Sequence, residues 1–440
     1  MTAFTIEARD GGSRARAGLL RTAHGAVRTP AFVPLATKAT VKGLLAEEVA
    51  ALGYEMVLGN TFHLMINPGA ELIASLGGMH RFMGWEGPII TDSGGFQVFS
   101  MGHGRVADEI KGSRGARVAG GVAPPAGSVA DDEGRMGGAR GARGAQDGQG
   151  ALGAVLEIDE QGVRFRSYFD GSEIILTPER SMEVQALLGS DIALVFDECT
   201  PYHVDRPYTE RSTDRTHRWL ERCLEWHSEH AGSDRLVYGI VQGGVYEDLR
   251  RASARTVAAS GCGGVAIGGS LGETKEQMHE VVGFAVAELE GAREELPRHL
   301  LGIGEVDDLI RGVELGMDTF DCAMPTRLAR HGSALVSDPH EERWLIDLTR
   351  GRWRDDARVL QDGCSCPACS RGLSRAYLSY LARSRELTGA RLLSAHNLAF
   401  LARLMGDLRA AISDGMLAEV GARWRDGGGF AMAPASVARA

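Results

Sequence analysis

The sequence lacks most features that mark membrane, secreted and generally nucleic-acid-binding proteins. No stretch approaches the roughly 18 consecutive apolar residues that a membrane-spanning helix needs. The opening "MTAFTIEARDGG" has no basic segment followed by an apolar core, so no secretory leader is expected. Cysteine is scarce and odd in number: 7 among 440 residues, with Cys364, Cys366 and Cys369 crowded together. That usage argues against a disulfide framework and for a reduced, cytoplasmic setting. A net charge of -10 argues against general binding to polyanions, although a local basic face is still allowed. Also missing is a G-x-G-x-x-G turn after an early strand, which weighs against an open dinucleotide-binding sheet.

What is present is an ordinary soluble composition, 44% hydrophobic and 24% charged, on a chain long enough for a large core. Short apolar runs alternate with stretches of helical period. The runs are "AFVPLAT", "MVLGNT", "PIITDSGGF", "ALVFDE", "VYGIVQGG", "GVAIGGS", "HLLGIGE" and "TFDCAMP". Between them lie stretches such as "VKGLLAEEVAALG", "TPERSMEVQALLG", "DRTHRWLERCLEWHSEH" and "EVDDLIRGVELG". Strand–helix alternation of this kind predicts an α/β protein, a (β/α)8 TIM barrel with its active site at the C-terminal strand ends. Those ends present Asn60, Asp92, Asp197, Gln242, Gly268-Gly269, Glu305 and Asp321.

One segment breaks the alternation. Residues 105–152, approximately, are rich in Gly, Ala, Arg and Asp and offer almost nothing large and apolar to bury. They read as a flexible insertion, with an RNA-contacting or gating loop as the alternative. Beyond it, "GVRFRSYFDGSEIILTPE" alternates around Asp170-Gly171, a hairpin turn pair.

Two carboxylates stand out. Asp92, in "TDSGGFQ", is followed by glycines that let a ligand approach the backbone and by Phe96, which could pack on a flat ring. Asp321, in "TFDCAMPTRLARHG", precedes Arg327 and Arg330, whose charge favours its ionised form. Paired carboxylates suit cleavage of a glycosidic bond, one attacking carbon while the other moves protons. Asp197 and Gln242 supply an acceptor and an amide for reading the edge of a purine-like base. Near the C-terminus, C-x-C-x-x-C followed by His396 is a zinc pattern. Three thiolates and an imidazole close a tetrahedral site, so the metal is expected to be structural. The segment between Cys369 and His396 reads as one arginine-bearing helix whose ends the metal would clip together.

Taken in order, "TDSGGFQVFS", "VRFRSYFDGSEIILTPE", "FDECTPY", "YGIVQGG", "HLLGIGEVDDL", "FDCAMPTRLARHG" and "CSCPACSRGLSRAYL…LLSAHN" resemble the motif set of the tRNA-guanine transglycosylases. The resemblance spans nearly the whole chain apart from the Gly-rich insertion and the last thirty or so residues. It implies exchange of the wobble guanine of tRNA anticodons for a 7-deazaguanine, in bacteria the queuosine precursor 7-aminomethyl-7-deazaguanine. By the same resemblance, Asp321 matches the nucleophile that holds the tRNA covalently, and Asp92 matches the general acid/base. Asp197, Gln242, Gly269, Phe96 and Ser93 match the base-binding set, and Arg327 and Arg330 match residues gripping the anticodon loop. The family's bacterial members usually pair as homodimers.

Two departures matter. After Gly268-Gly269 the chain reads Ser270-Leu271-Gly272-Glu273, one residue shorter than the familiar pattern, which leaves the incoming base open. The insertion replaces a short family segment, so contacts made there do not carry over. The expected division is a barrel over 1–360, a zinc-binding helical subdomain over 361–425 and a tail over 426–440. A metal-dependent barrel hydrolase would want histidines at the strand ends, where carboxylates and amides stand instead. A non-catalytic RNA-binding relative would be expected to lose one of the two aspartates. A transglycosylase for another base, or for DNA, remains the alternative.

Overall fold

The computed structural model describes residues 3–102, 155–200, 204–232, 234–338 and 344–431. The predicted insertion at 105–152 and residues 432–440 of the predicted tail lie outside them. Among the described residues, eight parallel strands close into a barrel. They are β1 (Ala31–Ala36), β2 (Val57–Gly59), β3 (Ile89–Thr91), β4 (Ile192–Leu194), β5 (Leu236–Val241), β6 (Gly264–Ile267), β7 (Arg298–Leu300) and β8 (Thr319–Cys322). Each overlaps one of the eight predicted runs, with β4, β5 and β7 starting one residue ahead of theirs, at Ile192, Leu236 and Arg298. The register pairs β8 back onto β1, Asp321 opposite Val33, which completes the circle.

Helix starts follow local chemistry. Asn60 caps Thr61–Ile66 by accepting from the His63 N–H, so that helix begins as soon as β2 ends. Thr177 caps Pro178–Leu188, whose first residue needs no N–H partner, and Gly189 ends it at φ 77°. Asp205 caps the long Arg206–His230 helix in the same manner.

Three additions surround the barrel. An antiparallel sheet of Phe4–Arg9, Arg16–Thr22 and Gly25–Thr29 covers the N-terminal strand ends. There buried Arg16 binds Asp318, just ahead of β8, through Nε at 2.9 Å and reaches the Leu296 carbonyl ahead of β7. A second sheet, Val155–Ile158, Val163–Arg166 and Glu173–Leu176, turns Val163, Phe165 and Leu176 inward against the core. Its hairpin is joined by residues 167–172, with Asp170-Gly171 inside that loop and Gly171 at φ 76°.

The third addition carries the cysteines. It comprises the hairpin Ser333–Leu335/Leu345–Asp347 and the helices Pro367–Ser370, Arg375–Arg383 and Leu387–Asp414. The long helix packs two ways at once. Leu398, Phe400, Leu401 and Leu404 join the barrel core, while Leu393 and Ala399 join a smaller core with Trp353 and Leu378. Buried Asn397 ties it to the Leu335 N–H and to the Pro325 and Ser333 carbonyls, and Tyr54 donates to its Leu398 carbonyl at 2.8 Å.

The single helix expected between Cys369 and His396 is in fact two. The helix Arg375–Arg383 ends with Arg385 at φ 55°, with Glu386 N–H on the Leu381 carbonyl and Arg385 N–H on Ala382. This is the 6→1, 5→2 termination that reverses a chain, built here on arginine in place of the usual glycine. His396 consequently lies inside the next helix, not at the end of one.

Candidate active site

The C-terminal ends of the strands open into a cavity of about 210 Å3. Asn60, Asp92, Asp197, Gly269 and Asp321 all face it, each delivered by a different strand end. Ser93 and Phe96 line it as well, whereas Gln242 sits behind the wall, 2% exposed, holding Asp197. Glu305, from the same predicted rim, turns away and pairs with Lys275 at 2.7 Å.

Asp92 follows directly on β3. Its Oδ2 accepts from Asn60 Nδ2 at 2.6 Å and Gln97 Nε2 at 3.1 Å, and its Oδ1 from the Thr61 N–H at 2.9 Å. Burial pushes its pKa up to about 7; the Thr61 hydrogen bond pulls the other way, and the neighbouring charge of Asp321 adds to the rise. A carboxyl poised there gives and takes a proton near neutrality with similar ease.

Asp321 lies within β8 and is 7% exposed. Its Oδ1 accepts from the Gly302 N–H at 3.0 Å and contacts His299 Nε2 at 3.1 Å. The arginines that follow it in sequence separate. Arg330 lines the cavity and reaches Thr326 Oγ1 at 3.4 Å, while Arg327, half-buried on the same helix, is not part of the wall.

Asp197 anchors the opposite wall. Ser93 Oγ donates to its Oδ1 at 2.9 Å and Gln242 Nε2 to its Oδ2 at 2.6 Å. Burial raises its pKa to about 6 against the lowering effect of those two bonds. Gly269 holds φ 76°, and a Cβ there would lie 2.1 Å from Gln242 Oε1, so glycine is required twice over. Behind this wall a fully buried Arg250 donates to the carbonyls of Val241, Gly244, Gly268 and Ser270. It thereby locks the loops after β5 and β6 together. Burial lowers its pKa to about 9, which still leaves it charged at neutral pH. Carboxylate and backbone on one side of a cavity, with the Gln242 amide fixing the carboxylate from behind, present a mixed donor–acceptor edge suited to a flat, polar ring.

Sequence reasoning passed over Arg250, His299, and His63, which lines the cavity with Nδ1 2.9 Å from the Tyr168 hydroxyl. His299 sits between Arg298 and Leu300 on β7, with no alternation to mark it. Arg250 had no local signal, since its partners are carbonyls on two other loops.

Cys364, Cys366, Cys369 and His396 converge, their ligand atoms all within 4.8 Å of one another. The Sγ atoms stand 3.7, 3.3 and 3.5 Å from His396 Nδ1. Those are the edges of a tetrahedron about an ion with bonds of about 2.0–2.3 Å. His396 Nε2 donates to the Leu335 carbonyl at 2.7 Å, which leaves Nδ1 as the ligand atom. The residues fit a metal ion, and none of the four lines the cavity.

His24, His80 and Asp191 also gather, but differently. The two imidazoles stack at 3.7 Å with 22° between planes, so no single ion can lie in both ring planes. They contact separate oxygens of Asp191, which also accepts the Ile89 N–H. Burial alone would raise that carboxyl, yet the bonds from His80, Ile89 and His24 hold it at about 2. The group is a clamp at the foot of β3 and β4.

A family model described as "Queuine tRNA-ribosyltransferase" matches residues 10–115 and 146–427. The unmatched gap falls inside the predicted insertion. Curated relatives carry the same description. One from Roseiflexus sp. (strain RS-1) is 47% identical over 96% of this chain and 98% of its own. One from Pelotomaculum thermopropionicum is 42% identical over 94% and 95%, and one from Synechococcus sp. (strain CC9902) is 41% identical over 96% and 97%.

Proposed function

The chain belongs to the queuine tRNA-ribosyltransferase family, and from that membership we propose how its cavity exchanges the wobble guanine of tRNA for a 7-deazaguanine. As a pentosyltransferase it breaks one N-glycosidic bond and makes another. Asp321 attacks C1′ of the ribose as the bond to guanine breaks, and Asp92 gives its proton to the departing base. The incoming base then returns a proton to Asp92 and attacks C1′, and Asp321 leaves. Nothing is consumed beyond the bases exchanged. The observation that carries this reading is the pair of carboxylates in one cavity, with Asp92 raised to about 7. The developing positive charge on the ribose is stabilised by the carboxylate that attacks it.

Asp197 accepts from the base's N–H groups, held in place by Ser93 and, from behind the wall, by Gln242, while the Gly269 backbone completes the reading and Phe96 lies against the ring. From the shortened loop, Leu271 faces the cavity while Glu273 is exposed, its N–H held by Gln277 Oε1 at 3.0 Å. The base we assign is 7-aminomethyl-7-deazaguanine. Arg327 and Arg330 take the anticodon loop, whose wobble nucleotide must be splayed out to expose its ribose. Zinc is the metal we assign to the thiolate–imidazole cluster, as a cross-link between the 364–369 turn and the long helix, with the division at residues 360 and 425 kept as a working boundary. Exposed Tyr380 (58%), and Leu387 (86%) at the start of the helix that carries His396, support a homodimer, and tRNA as substrate supports a cytoplasmic location. No described helix is long and apolar enough to cross a membrane.

The test is base exchange. Unmodified tRNA incubated with labelled guanine or labelled 7-aminomethyl-7-deazaguanine should gain label at the wobble position. No incorporation of either base into any tRNA would refute the function. Guanine without the aminomethyl base would refute the substrate assignment alone.

A further inference from the structure

We propose that His299 is a positioning residue for the reacting carboxylate: it fixes Asp321 Oδ1, so that Oδ2 attacks the ribose and Oδ1 stays hydrogen-bonded through both displacements. The inference rests on Asp321 being the nucleophile.

The barrel geometry places the imidazole. His299 on β7 pairs in register with Thr319 on β8, and Thr319 and Asp321, two residues apart, point to the same face. His299 is fully buried between them, with Nδ1 2.8 Å from Thr319 Oγ1 and Nε2 3.1 Å from Asp321 Oδ1. An ionised carboxylate only accepts, so Nε2 carries the proton. The Thr319 hydroxyl then donates to Nδ1 and sets the tautomer. With the Gly302 N–H at 3.0 Å, Oδ1 receives two donors.

This asymmetry has a chemical consequence. The ester bond forms between Oδ2 and C1′, so Oδ1 becomes the ester carbonyl oxygen. When the incoming base attacks C1′, the electron pair of the C1′–Oδ2 bond returns to the carboxylate, whose charge spreads onto Oδ1. Two fixed donors at Oδ1 stabilise that departing carboxylate, as preorganised donors stabilise any developing oxyanion. His299 itself undergoes no net proton change. A donor of this kind acts on the chemical step, and it touches neither the tRNA nor the base.

The test compares His299→Leu with His299→Gln in steady-state exchange of labelled guanine. His299→Leu should lower kcat about 10- to 100-fold, with KM for tRNA and for guanine within about twofold. His299→Gln, whose amide nitrogen can reach Oδ1, should recover most of the rate. The inference is overturned if His299→Leu keeps the wild-type kcat, if the loss lies in KM alone, or if His299→Gln is as slow as His299→Leu. Should His299→Leu fail to fold, Thr319→Val removes only the hydroxyl that sets the tautomer. It should slow kcat several-fold at unchanged KM, and a wild-type kcat would overturn the inference. Asp321→Asn separates the two claims. If it is inactive while His299→Leu is at full rate, only the role of His299 falls. If Asp321→Asn exchanges normally, the nucleophile falls and this inference with it.

Discussion

At the scale of single residues, the account rests on how burial and the partners opposing it sort three carboxyls. Asp92 and Asp197 are raised to about 7 and about 6, while Asp191, at the other end of the barrel, is held at about 2 by its two histidines and a backbone N–H. For Asp92 the sign is that of a raised acid. Its folded pKa lies above the unfolded value of about 3.9, so the fold binds the proton more tightly than the unfolded chain. Stability is therefore lost as pH rises from about 4 through about 7. Asp92→Asn, which removes the charge at every pH, should stabilise the protein at pH 8 by about 1–3 kcal/mol and scarcely at about pH 3.5, below the unfolded pKa, in urea titrations. The same variant should slow base exchange at least 100-fold and abolish the decline of the first displacement above pH 7. An unchanged exchange rate would remove Asp92 from the acid/base role. The cavity-lining carboxylates Asp92, Asp197 and Asp321 and the Cys–His cluster were legible in sequence, because each sits at a strand end or in a recognisable spacing. Arg250 and His299 were not, since each acts through partners that only the closed barrel brings near.

At the scale of elements, the barrel strands were legible because short apolar runs bounded by turn residues are what a buried parallel sheet requires. The N-terminal sheet was not anticipated. Only its first strand, Phe4–Arg9, alternates apolar and polar positions, and the sheet's partners are at the barrel's lower rim. The Arg375–Arg383 helix shows why one helical run became two. Nothing in "YLARSRELTG" announces a stop, because the left-handed position is taken by an arginine. An L side chain costs about 1 kcal/mol or more in that conformation. Arg385, exposed, makes this an open trade: Arg385→Gly should stabilise by roughly 0.5–1 kcal/mol, read as a higher unfolding midpoint. A lower midpoint would mean that the arginine side chain holds the turn. Beyond that turn, the long helix belongs to two cores at once, so loss of the metal should be felt in both. Chelation or Cys366→Ser should lower the melting temperature by several degrees and weaken tRNA binding, while guanine binding in the cavity stays within about twofold. A metal-free protein that melts and binds tRNA normally would contradict the cross-link.

At the scale of the whole molecule, the net charge is -10, so the proposed grip on a polyanion falls to local cations. Arg330 stands in the cavity wall, on the helix that follows Asp321. The barrel provides the geometry for this arrangement. Its strand ends converge on one rim, and none of the four residues of the Cys–His cluster lines the cavity there. Chemistry and cross-link are thus separate parts of one chain. The central claim is that Asp321 joins covalently to the ribose, and a denaturing gel tests it most directly. Wild-type protein mixed with unmodified tRNA should give a species retarded by the mass of one tRNA, which free guanine disperses and which Asp321→Asn never forms. The same retarded species from Asp321→Asn, or none from an active wild type, would contradict the account.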